Sequence, residues 1–182
     1  TPVGIYLKVR DLYTNSVLLE SSDYHGMENS FSYIAFCPIG GISVNNFLIV
    51  EEYPDNTQIE TQVTDKMTVA NRFDAFLRSF QIVENESKLN INGLFGYSSY
   101  ESVQYFEDVK LKARATVPGD MPGLHYVLFK YIIAINHFNN ELTIIENLLE
   151  GETSAIPNIE RILENNNVAK YKFETVGEER CD

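Results

Sequence analysis

Apolar and polar residues follow patterns along the chain that predict three helices. Thr1-Pro2 opens the first, because threonine is a good N-cap and proline is tolerated at the first helical position. The following VGIYLKVRDLY also alternates as a strand would, and the cap favours the helix. TVANRFDAFLRSFQIV, residues 68–83, carries phenylalanines at helical spacing. SAIPNIERILENNN predicts a third helix that starts near Pro157.

Strands are predicted between these helices, and several are joined as hairpins. Single strands are predicted at 16–20, at 31–37, in TQIETQV and in AKYKFETV. Two hairpins are predicted: ISVNNFLIVEEY, with its turn at Asn45-Asn46, and GLHYVLFKYIIAINHFNNELTIIENL, with its turn at Asn139-Asn140. The segment LNINGLFGYSSYESVQYFED predicts a strand, a Gly-containing turn and a short helix. Strands and helices mix without strict alternation. The pattern predicts one α+β domain over residues 1–182, with a largely antiparallel, sandwich-like sheet flanked by helices.

Composition and charge narrow the partners that the domain can have. The chain has 182 residues and a formal net charge of −12, so its surface repels nucleic acid and anionic membranes. Cys37 lies in an apolar run and is expected to be a small buried residue, whereas Cys181 is next to the last residue. No disulfide framework is predicted, which indicates a reducing cytoplasm. The chain starts at a threonine and stops at VGEERCD, and we expect it to be a piece of a longer polypeptide.

The residue patterns of common active sites do not occur in this sequence. His25, His125 and His137 lack the spacing of a metal site, and we interpret them as structural histidines. GLFGY has two glycines but lacks the remaining residues of a phosphate-binding loop, and no nucleophile elbow occurs. We therefore predict neither a catalytic residue nor a metal site within these residues.

The end of the first predicted strand has polar side chains that could bind a ligand. The apolar run that finishes at Leu19 is followed at once by Glu20 and Ser21. A carboxylate accepts hydrogen bonds from an ammonium group, and a hydroxyl donates to a carboxylate, so the pair suits a free amino acid. The aromatic strand that begins at Phe31-Ser32 supplies an apolar wall. The alternative is a polar turn, which these residues favour when taken alone.

Five segments in order resemble the amino-terminal domain of anthranilate synthase component I, the large chorismate-utilising subunit. They are LLESSD, SFSYIAFCP, FDAFLRSF, NGLFGYSSYESVQYFED and MPGLHYVLFKYIIAINH. The resemblance spans nearly the whole chain and implies the fold of that domain. It also implies that the intact polypeptide is a lyase of tryptophan biosynthesis, which makes anthranilate and pyruvate from chorismate and glutamine-derived ammonia.

The resemblance implies a regulatory role for this part of the enzyme. Leu19, Glu20 and Ser21 would bind L-tryptophan, the feedback inhibitor, and Phe31 and Ser32 would form the pocket wall, although some relatives have lysine at the Phe31 position. Chorismate and Mg²⁺ would bind a carboxy-terminal catalytic domain after residue 182, so the piece itself would hold no cofactor. The implied partners are that domain and a glutamine amidotransferase subunit, component II.

Two other functions stay open on the sequence. One is the corresponding domain of aminodeoxychorismate synthase component I, the relative in the folate pathway. The Glu20-Ser21 pair favours the tryptophan enzyme over it, because the folate relatives often lack that pair. The other is a stand-alone amino-acid-binding module with no enzyme attached.

Overall fold

The computed structural model of the chain describes residues 1–20, 30–81, 91–109, 111 and 120–165. Its helices are Pro2–Arg10 (α1), Lys66–Arg78 (α2) and Ile156–Glu164 (α3), with a 3₁₀ helix at Tyr100–Tyr105. Its strands are Val17–Glu20 (β1), Phe31–Asn45 (β2), Leu48–Glu52 (β3), Gln58–Gln62 (β4), Phe95–Ser98 (β5), Leu124–Asn136 (β6) and Glu141–Glu146 (β7). All pair antiparallel in one sheet of order β4-β3-β2-β6-β5, with β1 added to β2 and β7 to β6. The predicted α+β class with a largely antiparallel sheet is confirmed.

The long strands β2 and β6 run through the whole sheet and join its two halves. The first half of β2 pairs with β1 and with the end of β6, and its second half pairs with β3 and with the start of β6. A register shift lies between Pro38 and Gly40, and Cys37 has a φ of 63°. The prediction of separate strands at 31–37 and in the following hairpin is therefore wrong, because the ladder with β6 continues past the bulge.

Side-chain caps determine where the first two helices begin. The Thr1 hydroxyl accepts a hydrogen bond from the backbone N–H of Gly4 at 3.2 Å, which confirms the predicted start of α1. The Asp65 carboxylate accepts from the N–H groups of Met67 and Thr68 at 2.9 and 2.8 Å. Because this capping box satisfies otherwise unpaired donors, α2 starts before the phenylalanine pattern that predicted it.

The two predicted hairpins are present, and one turns later than expected. Asn46 and Phe47 have positive φ angles, 48° and 62°, so the β2–β3 turn lies one residue beyond the predicted Asn45-Asn46. This register places Val44 opposite Ile49, and both side chains are fully buried. A slip of one residue would turn them to solvent. The β6–β7 turn covers residues 137–140 and so includes the predicted Asn139-Asn140 pair. The predicted strand AKYKFETV lies outside the described residues.

Helices cover each half of the sheet with apolar side chains. Around α2, the buried cluster is Ile42, Val44, Ile49, Val69, Phe76, Tyr105 and Leu124. Around α1 and α3, it is Val9, Ile34, Phe36, Tyr131, Ile133 and Ile159. Cys37 is half-buried beside the second cluster, and burial raises the pKa of its thiol. Within the part of the chain that the structure describes, no helix is both long and apolar enough to cross a bilayer.

The start of α3 is capped by a carboxylate from β7. Ala155, at the N-cap position, has no capping side chain of its own, and its N–H donates to the Glu146 carboxylate at 3.1 Å. The Ser154 hydroxyl donates to the same carboxylate at 2.6 Å. The Tyr131 hydroxyl is also hydrogen-bonded to this carboxylate. The pKa of Tyr131 is raised, mainly by burial and to a smaller extent by this hydrogen bond. Glu146 thus fixes α3 against the cluster around Ile159.

Replacing Glu146 with alanine should lower the free energy of unfolding by about 1 kcal/mol, the usual cost of losing a helix cap. Glu150→Ala removes the same charge from an exposed position close by and serves as the control. Urea denaturation of both variants measures the difference. Equal stability of the two would show that the Glu146 cap contributes nothing.

Candidate functional site

Glu20 and Leu19, at the end of β1, point to opposite faces of the sheet. Glu20 lies directly opposite Ser32 of β2, and Leu19 lies opposite Tyr33. Residues directly opposite each other in an antiparallel ladder share a face, and neighbours along a strand do not. Leu18, two positions before Glu20, packs in the cluster around α1 and α3, so Glu20 leaves the sheet on that side. Both predicted ligand contacts are exposed, with Leu19 at 39%.

The face of Leu19 carries the aromatic wall that the sequence predicts. Phe31 stacks on Tyr33 with ring centroids 5.8 Å apart, and Tyr33 meets Phe95 of β5 at 6.0 Å. Phe95 in turn contacts Phe129 at 6.4 Å. Burial raises the pKa of the Tyr33 hydroxyl. An apolar side chain placed beside Leu19 would therefore meet a continuous row of rings.

The face of Glu20 carries a polar pair. Ser32 is fully buried, and its Oγ lies 2.7 Å from Nε2 of His137, in the turn after β6. The backbone N–H of His137 donates to the carbonyl oxygen of Ser30 at 2.9 Å. The interpretation of His137 as a hydrogen-bonded structural histidine is consistent with these bonds. Its place beside Ser32 was missed in the sequence, since it depends on the pairing of β2 with β6.

The predicted site residues therefore meet only at the strand end, with an acid on one side and rings on the other. Ser21, the residue that follows Glu20, lies outside the described residues. At this corner Glu20 lies on one face of the sheet, and the rings of Phe31 and Tyr33 lie on the other. Within the described ranges, no group of three or more histidine, cysteine, aspartate or glutamate residues could hold a metal ion.

Two depressions of the described surface lie away from this corner. One, of about 540 Å³, lies between α2 and β5 and is mainly apolar, with Phe73, Leu77 and Tyr126 in its wall. The other, of about 970 Å³, starts at the opposite end of β1 and follows the bulge in β2. Neither has Leu19, Glu20, Phe31 or Ser32 in its wall. The corner is therefore not part of either depression.

Comparison with known proteins identifies relatives along almost the whole chain. Anthranilate synthase component 1 of Methanothermobacter thermautotrophicus is 27% identical over 177 residues, which is 97% of this chain and 34% of the relative. The protein of the same name from Methanothermobacter marburgensis is 27% identical over 144 residues, or 79% of this chain and 28% of the relative. No family model matches the sequence. The chain therefore spans about a third of the length of these relatives.

A solved structure shares the fold. The crystal structure of anthranilate synthase component I from Streptococcus pneumoniae superimposes with a TM-score of 0.52 at 18% identity, covering 90% of this chain and 34% of that one. The mostly antiparallel, curled sheet with a few helices is common to both. The resemblance identified from the sequence is confirmed: the chain is similar to anthranilate synthase component I over about a third of the length of such a protein, and it shares the fold of that part.

Proposed function

We propose that the chain is the amino-terminal, inhibitor-sensing part of an anthranilate synthase component I. The observation that carries this proposal is the similarity to a protein of that name along 97% of the chain. The intact enzyme would convert chorismate and ammonia from glutamine to anthranilate and pyruvate. We place the chemistry in a carboxy-terminal domain of the longer polypeptide. Mg²⁺ would bind in that domain as well.

The role proposed for this part is to bind L-tryptophan at the end of β1. The Glu20 carboxylate would accept hydrogen bonds from the ammonium group, and Ser21 would bind the carboxylate of the ligand. Leu19 and Phe31 would contact the indole, and Ser32 would support the wall from the other face. The aromatic contacts from Phe31 through Tyr33 to Phe95 support the indole wall on the face of Leu19, and the ligand would reach around the end of β1 to meet Glu20 on the opposite face. The remaining contacts would come from the catalytic domain.

A ligand shared between two domains inhibits by selecting one arrangement of them. It stabilises the inactive arrangement only by as much as it binds that state better than the active one. A coupling of about 1–3 kcal/mol weakens substrate binding some 5–150-fold, which is sufficient for feedback control. We further propose that the assembly includes a glutamine amidotransferase subunit, component II, and that the enzyme works in the cytoplasm.

Replacing Glu20 with glutamine in the full-length polypeptide should raise the tryptophan concentration for half-inhibition about tenfold or more. The variant keeps the size of the side chain and loses the charge that strengthens hydrogen bonds to an ammonium group, typically about 1.5–3 kcal/mol. Ser21→Ala should also relieve inhibition. The measurement is anthranilate formation as a function of tryptophan, expressed relative to turnover without it.

Glu60→Gln provides the matched control, because it removes the same charge from an exposed position on β4, at the far edge of the sheet. We expect its inhibition curve to coincide with that of the unmodified enzyme. Identical curves for the Glu20 and Glu60 variants would remove Glu20 from the effector site. An intact enzyme that forms no anthranilate would overturn the proposed function as a whole.

A further inference from the structure

A polar row crosses the sheet at the proposed effector corner, from β1 to the β6–β7 turn. Ser32 occupies the middle of this row, with Glu20 opposite it on β1 and Ile135 opposite it on β6. His137 follows two residues after Ile135, and its Nε2 lies 2.7 Å from the Ser32 Oγ. The row therefore consists of an exposed carboxylate, a fully buried hydroxyl and an imidazole.

His137 holds the beginning of β2 at two points. Its side chain bonds the Ser32 hydroxyl, and its backbone N–H bonds the carbonyl oxygen of Ser30 at 2.9 Å. Both serines are buried, with Ser30 at 6% and Ser32 at 0% exposure. A buried hydroxyl that loses its partner carries the full penalty of desolvation, so the histidine determines which orientation of Ser32 is stable.

The orientation of Ser32 matters for Glu20 because β1 is short and has one strand neighbour among the described residues. β1 has four residues, and β2 is the strand with which it pairs. Glu20 is the last of the four, so the position of the backbone that carries its carboxylate depends on the Glu20–Ser32 pair of the ladder. Ligand affinity depends on how well the binding groups are held in place before the ligand arrives.

We propose that His137 is a positioning residue for the effector site. Through its bond to Ser32, it holds the last pair of the β1–β2 ladder in place. The Glu20 carboxylate is thereby kept in the orientation that receives the ammonium group of a bound amino acid. This inference rests on the proposed function, since it concerns the same site. His137 itself acts through Ser32 and is not assigned a contact with the ligand.

The test uses the full-length polypeptide and variants that separate the hydrogen bond from the bulk of the ring. His137→Leu removes the bond, whereas His137→Gln keeps a nitrogen at nearly the same distance from its backbone as Nε2. We expect His137→Leu to raise the half-inhibitory tryptophan concentration about fivefold, the effect of one neutral hydrogen bond. His137→Gln should restore most of this loss. The readout is inhibition relative to uninhibited turnover, together with the thermal midpoint of each variant.

Ser32→Ala removes the other partner of the bond with little change in volume, and it carries the test if the leucine variant fails to fold. We expect it to relieve inhibition as well, and the double variant to show less than the sum of the two single effects, because both changes remove the Ser32–His137 bond. Inhibition of His137→Leu and Ser32→Ala equal to that of the unmodified enzyme would overturn this inference alone. Glutamine and leucine variants that are equally impaired would also overturn it. An unmodified enzyme that makes anthranilate but ignores tryptophan would overturn both the inference and the proposed effector site.

Discussion

Replacing Arg72 with methionine should lower the free energy of unfolding by about 3–5 kcal/mol, the cost of leaving a buried charge without its partner. Glu51 of β3 is fully buried, and its carboxylate is the reason for this expectation. Arg72 of α2 donates to it through Nε at 2.8 Å and through a second guanidinium nitrogen, and the Tyr53 hydroxyl donates at 3.1 Å. The pair fastens α2 to the sheet. Without Arg72, the Tyr53 hydroxyl would be the remaining partner of this desolvated carboxylate among the described residues.

Replacing Glu51 instead of Arg72 should lower the free energy of unfolding by less, and this difference makes the test specific. Glu51→Gln leaves Arg72 with a neutral neighbour, and the Arg72 side chain is 31% exposed, so water can replace the lost bonds. Replacing both residues by apolar ones, as in Glu51→Leu with Arg72→Met, should recover most of the stability, because no buried charge is left. Urea denaturation of the three variants measures these differences. An Arg72→Met variant no less stable than Glu51→Gln would show that Glu51 is not held as a buried carboxylate.

The buried ion pair illustrates which parts of the fold local sequence could not predict. The start of α1 was predictable because its cap, Thr1, bonds a group only three residues along the chain. Glu51 reads in the sequence as a polar residue of a hairpin strand. Its burial depends on α2 lying over β3, and Arg72 is twenty-one residues away. Contacts of that kind arise only when the elements are assembled.

The pairing of the strands could likewise be predicted only in part from the local sequence. Apolar residues on both faces of GLHYVLFKYIIAIN predicted a central strand, and β6 is indeed paired on both sides. The sequence between Phe36 and Ile42 contains Pro38, Gly40 and Gly41, which are residues that usually end a strand. In the folded chain they form a bulge, because β6 supplies partners on both sides of it. A strand break and a bulge have the same local sequence.

The candidate site was predictable in composition but not in arrangement. Glu20 and the wall beginning at Phe31 were named from the sequence, and the ladder does bring β1 and β2 together. Strand alternation then separates the acid from the rings onto opposite faces. The neighbour that the sequence missed, His137, is more than one hundred positions from Ser32. Pattern analysis gives no sign of such a pair until the β2–β6 register is known.

Replacing Gly96 with alanine should destabilise the protein by about 3 kcal/mol or more, at or above the upper end of the range for overpacking. A Cβ built on Gly96 would lie 1.9 Å from the carbonyl oxygen of His125 and 2.7 Å from the Cα of Tyr126. Both atoms belong to the backbone of β6, with which β5 pairs. A flexible side chain could move aside, whereas relief here requires the strands to separate. Phe95, the neighbouring ring of the aromatic wall, would move with β5.

Gly93→Ala is the matched control three residues earlier, because a Cβ there would meet no atom within 4 Å. We expect this variant to be as stable as the unmodified protein. Urea denaturation gives the difference in stability, and amide hydrogen exchange locates it, with protection lost first in β5 and the facing part of β6. Equal stability of the two alanine variants would show that β5 does not approach β6 as closely as the register requires. Loss of stability with β5 protection intact would place the strain elsewhere in the sheet.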